Sequence, residues 1–441
     1  MAKIFLSFFN GIENKKSIPL FYEGFINGLQ NHGNDVLFFP VPLFTLEGKA
    51  SNKLIKSIKN FSPDLIILFN NFFYQYDFFS NFDCPVIVYD VDSVLFWKNK
   101  DILKNNEKCK FVTSGSDCVK LIKDTFNVSE KQICRIPFFS SVKAEKKEIK
   151  QNISFIGTFF IDTDLVKKFA RLNPSAEEKE MFYKIETFLK GNPFINEKEL
   201  IDSLGIFSEK ILNILDTSAF IQHISSIKRI KVLSAIADLG LDLYGTSGWV
   251  DNLNFYPEIT LSYCPQQVYS IQHNQDIYNS SKIGISVAHI QANSAFPWRI
   301  TDIMASNACL VSDYHSDFDV YFPNIKIPIY SSPAEAREVC KDLLNNENKR
   351  LDIVTACQEV IDEKFRFENV LKILEQFSGV TLQSESEGTV FVLSQKNIIE
   401  EQLNGEDKVE IAQNKLSWKN KLRYKIWKKL DKKLRKKGII P

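Results

Sequence analysis

Short apolar runs alternate with helically patterned segments in the first third of the chain. The runs predict strands at 3–9, 35–39, 64–69, 85–89, 111–114 and 132–137. Between them, apolar residues recur at helical spacing and predict helices over 18–31 and 51–60. Because the runs are apolar throughout, they indicate a parallel sheet covered by helices on both faces. We therefore expect a Rossmann-like domain over residues 1–145, and the lack of G-x-G-x-x-G disfavours a dinucleotide enzyme.

A second α/β domain is predicted over residues 150–378, after a charged linker at 142–151 that lacks apolar periodicity. It opens with an apolar strand at 153–158, and the long polar segment from about 160 to 228 is interpreted as a helical insertion. The alternation then resumes. Strands are expected at 241–244, 283–287, 308–312 and 327–330, with helices at 229–239, 275–280, 296–306 and 332–345 and a pair of helices over 348–378.

Residues 283–313 form the most informative unit: a strand, a polar loop, a helix and a second strand that ends in Asp313. Such units bind nucleotides at the carboxyl ends of parallel strands. Arg299 and Asp302 lie three apart and share a helix face. An arginine there can bind a diphosphate, and a carboxylate can accept hydrogen bonds from ribose hydroxyls. From these two residues alone, an ordinary surface Arg–Asp pair remains an alternative.

The run from Tyr278 to Tyr314 (YNSSKIGISV…FPWRITDIMASNACLVSDY) resembles the donor-binding part of GT-B glycosyltransferases. It is most similar to the CgeB-like group and the "glycosyl transferases group 1" relatives. Arg299 matches the arginine of their R-x-x-E motif, and Asp302 replaces the glutamate. The resemblance spans about 150–378 and implies an α/β GT-B fold with two Rossmann-like domains facing a cleft.

Further donor-binding residues follow from this resemblance. Gly157 and Thr158 match an F-x-G turn near the donor diphosphate, although a turn without a ligand remains an alternative. Tyr244 and Gly245 belong to a segment similar to the L-Y-G-x-G-W of these enzymes. The backbone near Val268 is expected to hold the nucleobase. His289 follows a strand and is a candidate contact for sugar or phosphate, although a lone histidine is more often structural.

Polar residues follow the predicted strands of the first domain, where the functional residues of such sheets lie. They include Asn10, Gly11, Asn70, Asn71 and Ser114 to Ser116. Asp90 and Asp92 follow the fourth strand, and either can act as a general base toward an acceptor hydroxyl. The alternative is that one or both cap a following helix.

The expected chemistry needs no metal and no cofactor beyond the nucleotide-sugar substrate. The fold implied by the resemblance usually neutralises a leaving diphosphate with cationic side chains and helix N-termini. The D-V-D at 90–92 falls in the domain expected to bind acceptor, so it is not interpreted as a metal site. Retaining relatives often carry an acid eight positions before the second one; Ser294 stands there, which favours an inverting mechanism.

The charge distribution changes the picture at the C-terminus. Residues 415–437 hold twelve Lys or Arg and one Asp, a balance of +11 in a chain of net charge +1. Leu416, Trp418, Leu422 and Trp427 belong to an apolar stripe on this basic background, which predicts an amphipathic helix. We interpret it as a contact with an anionic membrane surface. The alternatives are a segment that binds nucleic acid and a solvated tail. We favour membrane contact over both and do not expect a nucleic acid partner.

The remaining composition fits a cytoplasmic protein, peripheral on the inner face of the cytoplasmic membrane. Hydrophobic residues make up 44% of the chain, yet no apolar run is long enough to span a bilayer. The eight cysteines are scattered singly, which disfavours a zinc site or a disulfide scaffold. The predicted function is transfer of a sugar to a glycan or lipid-linked acceptor in surface polysaccharide or glycoconjugate synthesis. A nucleotide-sugar epimerase and a non-catalytic binding protein are the alternatives.

Overall fold

The structure, a computed structural model, describes residues 1–9, 18–41, 52–70, 82–94, 97, 100–159, 165–204, 217–266, 268, 270–292 and 294–393. Of the positions singled out above, Asn10, Gly11, Asn71 and the basic segment 415–437 lie outside these residues. Among the helices that the structure describes, none is long and apolar enough to cross a membrane.

The first parallel sheet contains the strands predicted from the apolar runs. They are β1 (Lys3–Phe9), β2 (Asp35–Val41), β3 (Leu65–Phe69), β4 (Val86–Asp90), β5 (Cys109–Thr113) and β6 (Ile133–Arg135). All pair in parallel in the order β2-β1-β3-β4-β5-β6. Helices α1 (Leu20–Asn31), α2 (Asn52–Phe61) and α3 (Ser116–Phe126) lie between them along the chain. Helix α1 stops before Gly33, whose φ of +82° favours glycine.

The second domain repeats this architecture around a second parallel sheet. Its strands are β7 (Gln151–Ile156), β8 (Leu241–Tyr244), β9 (Tyr263–Cys264), β10 (Ser281–Ser286), β11 (Cys309–Asp313) and β12 (Ile329–Tyr330), in the order β12-β11-β10-β7-β8-β9. The later helices are α4 (Leu165–Arg171), α5 (Ala176–Gly191), α6 (Glu197–Leu204), α7 (Thr217–Ile236), α8 (Pro257–Ser262), α9 (Ile271–Asn279), α10 (Trp298–Met304), α11 (Asp317–Tyr321), α12 (Pro333–Asn345), α13 (Glu347–Lys364) and α14 (Phe367–Ser378). The predicted α/β class and the two sheets are confirmed.

The helical insertion, predicted over about 160–228, does not end at residue 228 in the structure. Helices α4, α5 and α6 pack with the first half of α7 around a small core that includes Phe182 and Phe220. The second half of α7, with Val232 and Leu233, packs on the second sheet. The predicted boundary at 228 therefore falls inside one continuous helix.

The end of the chain returns to the first domain. Helix α14 was predicted within the second domain, but Phe367, Leu371 and Leu374 pack into the core of the first domain beside α1. A further strand, β13 (Val390–Val392), then pairs in parallel with β2 at the edge of the first sheet. This placement differs from the predicted boundary at 378. Periodicity shows that a helix face is buried, but it does not show which sheet buries it.

The predicted linker at 142–151 is bound along the second domain. The backbone N–H of Lys143 donates to Gln275 Oε1 at 2.8 Å, and Lys147 forms an ion pair with Asp276. Close by, the ring of Trp298 at the start of α10 stacks on Phe21 of α1, with centroids 5.3 Å apart. Helix α10, which carries Arg299 and Asp302, is therefore positioned by both domains.

Candidate active site between the two sheets

Two arginines meet over one aromatic ring at the carboxyl ends of β7 and β10. The guanidinium carbon of Arg299 lies 5.1 Å from the ring centroid of Phe155, and that of Arg229 lies 5.9 Å from it. Arg299 Nε donates to the carbonyl oxygen of Ile156 at 2.6 Å. Arg229 donates to the carbonyl oxygens of Thr158 and Val287. The guanidinium groups are thus held at the ends of adjacent strands, where this fold class binds its ligands.

The electrostatics of this group favour an anion. Burial, and then the charge of Arg299, lowers the pKa of Arg229 to about 9. Burial also lowers the pKa of Arg299, which forms no ion pair with any residue that the structure describes. Burial, followed by Arg229 and Lys228, lowers the pKa of His289 to about 3, so its ring is neutral at physiological pH. A bound diphosphate would relieve the repulsion between these cations.

An ion pair fixes the neighbouring strand end. Lys228, beside Arg229 on α7, forms a buried ion pair with Asp313 at the end of β11. The backbone N–H of Ala288 donates to the same carboxylate at 3.1 Å. Burial alone would raise the pKa of Asp313, but Lys228 and His315 together outweigh burial and lower it. Because Asp313 ties β11 to the loop after β10, it fixes the backbone that precedes His289.

The turns after β7 and β8 need glycine because their backbones touch. A Cβ added to Gly245 would lie 2.0 Å from the carbonyl oxygen of Gly157. That oxygen also accepts a hydrogen bond from Trp249 Nε1 at 2.9 Å. A Cβ at Gly157 would lie 3.0 Å from an Arg299 guanidinium nitrogen. Gly157 therefore leaves room for Arg299, whereas Gly245 is explained by packing.

The structure divides the predicted donor-binding residues into two groups. Gly157, Thr158, His289 and Arg299 lie with the cationic group at the ends of β7 and β10, the side chain of Thr158 being exposed. Tyr244 points into the protein, because its hydroxyl donates to Gln151 Oε1 at 2.8 Å and is buried. A direct donor contact through the Tyr244 side chain does not fit this arrangement. Val268 is half-buried before α9.

Asp302 faces the junction between the domains. It accepts hydrogen bonds from Ser140 Oγ at 2.6 Å and from Asn274 Nδ2 at 3.0 Å. It lines a small pocket together with Leu20, Phe21, Phe139, Ser141, Val142, Ile271, Asn274 and Trp298. Burial raises the pKa of Asp302 to about 7 despite both hydrogen bonds. Asp302 is therefore next to Arg299 in the helix but contacts different neighbours.

We expect Asp302→Asn to flatten the pH dependence of stability. The pKa of about 7 exceeds the ordinary value of 3.8, so the folded protein binds this proton more tightly than the unfolded chain. Stability is therefore lost as the pH rises from about 4 to about 7, by up to about 4 kcal/mol. Melting temperatures of both proteins between pH 5 and pH 8 measure the difference.

The control for this variant is Asp238→Asn. Asp238 is exposed on the surface and pairs with Arg337, which lowers its pKa, so it does not titrate in this pH range. The control should keep the wild-type slope. A slope in Asp302→Asn equal to that of the wild type would contradict the assignment of a high pKa to Asp302.

The two candidate bases of the first domain have different environments. Asp90 is 4% exposed, accepts a hydrogen bond from Thr113 Oγ1 at 3.1 Å, and leaves Oδ1 without a hydrogen-bond partner among the described residues. Burial raises its pKa well above the ordinary value, and Asp92, Glu197 and Asp117 raise it further. Carboxyl groups with raised pKa values are candidates for proton transfer.

Asp92 is exposed and serves a turn. It accepts a hydrogen bond from Asn70 Nδ2 at 2.8 Å, while Asn70 Oδ1 accepts from the backbone N–H groups of Val91 and Asp92 at 2.9 Å. Asn70, a predicted cleft residue, thus ties the ends of β3 and β4 together. The segment that follows Asp92 is only partly described, so the alternative that one of these aspartates caps a helix stays open.

The two domains touch at the start of α3, a contact that sequence reasoning missed. Ser294, at the position of the missing acid, donates its hydroxyl to the carboxylate of Asp117 and accepts from the Asp117 backbone N–H at 3.2 Å. The backbone N–H of Ser116 donates to Asp317 Oδ2 at 3.3 Å. The loop after β10 is therefore held against the domain that carries Asp90. Asp117 is the second residue of α3, four positions after β5 ends at Thr113, and no spacing in the sequence indicates its contact with Ser294.

No group of three or more potential metal ligands is found among the described residues. The expectation of a metal-independent reaction remains a prediction, as do the absence of a cofactor and the roles of the individual site residues.

Comparisons with known proteins agree with this architecture. Residues 227–376 match the family model described as glycosyl transferase-like. The structure is similar to sucrose-phosphate synthase from Thermosynechococcus elongatus, with a TM-score of 0.55, 10% identity, and coverage of 86% of this chain and 98% of that chain. It is also similar to a glycosyltransferase from Rickettsia africae, with a TM-score of 0.51, 10% identity, and coverage of 86% and 99%. No curated protein matches the chain. The second domain therefore resembles glycosyl transferase-like proteins over residues 227–376, and the two parallel sheets have the GT-B fold.

Proposed function

We propose that the protein transfers a sugar from a nucleotide-sugar donor to a hydroxyl group of an acceptor. The supporting observation is the pair of guanidinium groups, Arg299 and Arg229, over the Phe155 ring at the strand ends. Arg299 has only a backbone carbonyl and an aromatic face as partners among the described residues. A diphosphate supplies the missing negative charge, and its charge grows as the sugar leaves.

The rest of the donor follows from this position of the diphosphate. Asp302, one helical turn along α10, lines a pocket that also contains Ile271 and Trp298. The support for Asp302 as an acceptor of hydrogen bonds from the ribose is its position in the segment that resembles the R-x-x-E motif, not the size of this small pocket. The backbone near Val268, just before α9, would hold the base. His289, neutral and beside the cations, would contact the sugar or its phosphate.

The mechanism we propose is inverting, with Asp90 as the general base. The proton of the acceptor hydroxyl passes to the Asp90 carboxylate while the acceptor oxygen bonds to the anomeric carbon. The bond from that carbon to the diphosphate oxygen breaks, and the diphosphate takes the electron pair. Arg299 stabilises the departing charge, so no metal is required. The absence of the first of the two acids, at the position of Ser294, supports this choice over a retaining reaction.

The first test is the melting temperature of the protein with UDP, GDP, CDP, dTDP and CMP, each without metal. Ligands that bind the native state raise the melting temperature. At a ligand concentration a hundredfold above Kd, the native state gains about 2.7 kcal/mol of stability. We expect a shift with one nucleoside diphosphate that is lost in Arg299→Ala. Matching nucleotide sugars are then assayed for hydrolysis and transfer. No shift with any nucleotide would contradict the donor site and favour a non-catalytic protein.

The acceptor we propose is a glycan or lipid-linked glycan of a bacterial-type cell surface, reached from the inner face of the cytoplasmic membrane. The support is the basic segment 415–437 with its two tryptophans. Deletion of 415–441 is expected to abolish flotation with vesicles that contain anionic lipid and to leave nucleotide binding unchanged. Wild-type flotation of the truncated protein would contradict membrane contact through this segment.

A further inference from the structure

The helical insertion crosses from the second domain to the catalytic side of the first. Glu197, the first residue of α6, is 2% exposed, and its Oε2 accepts a hydrogen bond from Ser93 Oγ at 3.2 Å. Ser93 follows β4 and lies three residues after Asp90. A glutamate of the insertion is therefore hydrogen-bonded to the residue that follows a strand end of the other domain.

The segment before Glu197 is anchored on the opposite side of the cleft. The ammonium group of Lys228 lies 5.1 Å from the ring centroid of Phe194, and the edge of that ring faces Tyr330 at 6.1 Å. Ile195 is buried. Four consecutive residues thus connect the Lys228–Asp313 pair of the second domain with Ser93 of the first.

The start of α6 is determined locally, which fixes the place of Glu197. The backbone N–H of Glu199 donates to Asn196 Oδ1 at 2.9 Å, and the backbone N–H of Asn196 donates to Glu199 Oε2 at 3.2 Å. This reciprocal arrangement is a capping box, in the sequence Asn196-Glu197-Lys198-Glu199. Asn196 and Glu199 therefore stabilise the helix start, whereas Glu197 is left to contact the first domain.

Glu197 joins a set of groups that surround Asp90 from four elements. The loop after β4 contributes Asp92, α3 contributes Asp117 and Cys118, and β4 itself contributes Tyr89. Thr113 of β5 is the hydrogen-bond donor to the carboxylate. Among these groups, Glu197 is the one that belongs to the second domain. Its position depends on the packing of the insertion.

We propose that Glu197 is a positioning residue of the active site: the insertion holds its carboxylate on Ser93, three residues after Asp90, and thereby strengthens Asp90 as a proton acceptor. The proposal rests on the proposed function, in which Asp90 is the base. Like charges in a partly desolvated site repel, so the ionised form of Asp90 is disfavoured while Glu197 is charged. A stronger base takes the acceptor proton more readily at a given separation. The insertion would thus belong to the catalytic site.

The test compares Glu197→Gln with Glu199→Gln. Gln at 197 keeps an oxygen for the Ser93 hydrogen bond and removes the charge. Gln at 199 removes an equal charge from an exposed site on the same helix and retains the capping interaction. The titration of Asp90 is followed by NMR with 13C-labelled aspartate carboxyl groups, and Asp90→Asn identifies the resonance. We expect the Asp90 pKa to fall by about one pH unit in Glu197→Gln and to stay at the wild-type value in Glu199→Gln.

The pH profile of transfer gives the second readout. Activity that needs ionised Asp90 rises with pH through its pKa, so the rising limb should move to lower pH in Glu197→Gln only. An unmoved resonance in Glu197→Gln, or equal shifts in both variants, would overturn the proposal, because a purely structural Glu197 would not change the titration. A shifted resonance in a protein that transfers no sugar would support the local electrostatics and refute the proposed function instead.

Discussion

Replacing Arg299 with Ala is expected to lower kcat/KM for transfer by about 10²- to 10³-fold, the usual cost of losing one group that stabilises a developing negative charge. The fold should persist. The variant loses the hydrogen bond to Ile156 and the contact with Phe155, but it also loses the repulsion that lowers the pKa of Arg229. Initial rates and the shift in melting temperature with the preferred nucleotide measure the effect.

The matched control for Arg299→Ala is Arg337→Ala. Arg337 pairs with Asp238 on the surface of the second domain, so its loss removes a cation and an ion pair without touching the cleft. Arg299→Lys should give an intermediate rate, because an ammonium keeps the charge but not the planar fork that binds a diphosphate with two hydrogen bonds. Full turnover in Arg299→Ala would show that the diphosphate binds elsewhere.

The sequence was sufficient to predict the described strands other than β9 and β13, and the residues that depend on them. Each apolar run lies at a strand of the structure because a strand buried on both faces needs a local run of apolar residues. Strand ends in turn position Gly157, His289 and Arg299. Helix caps also depend only on neighbouring residues: the hydroxyl of Ser332 accepts a hydrogen bond from the Glu335 backbone N–H at 3.1 Å.

Contacts over long sequence distance were not predictable from local patterns. Strand β13 has only three residues and pairs with a strand more than 300 residues earlier. The pattern at 228–229 indicated a boundary between two segments, so Lys228 and Arg229 were not recognised as site residues. The two arginines are brought together by Phe155, on a third element, and no spacing in the sequence indicates that contact.

The case of Asp302 shows a limit of helical spacing. Residues three apart on a helix lie about 60° apart around its axis, because each residue turns about 100°. That angle is enough for Arg299 to reach Ile156 and for Asp302 to reach Ser140 and Asn274. Although Arg299 and Asp302 lie on one face of the helix, their side chains therefore have different hydrogen-bond partners. This arrangement still allows the two side chains to contact successive parts of one extended ligand.

Replacing Asp90 with Asn is expected to reduce transfer by about 10²- to 10⁴-fold, the range in which general bases contribute. The shift in melting temperature with the preferred nucleotide should remain, because Asp90 lies in the other domain from the arginines. The variant should also be more stable than the wild type at neutral pH. Burial raises the Asp90 pKa, so the wild type loses stability as the pH rises above about 4, the pKa of an unfolded aspartate.

Two further variants decide whether Asp90 is the base. Asp101→Asn changes an exposed aspartate of the same domain that pairs with Lys104, and it should transfer at the wild-type rate. Asp92→Asn should lose less activity than Asp90→Asn, because the exposed Asp92 carboxylate already serves the turn held by Asn70. If the order is reversed, the base is Asp92. If both variants keep full transfer, the proton passes to a different group, and the inverting mechanism with a first-domain carboxylate is wrong.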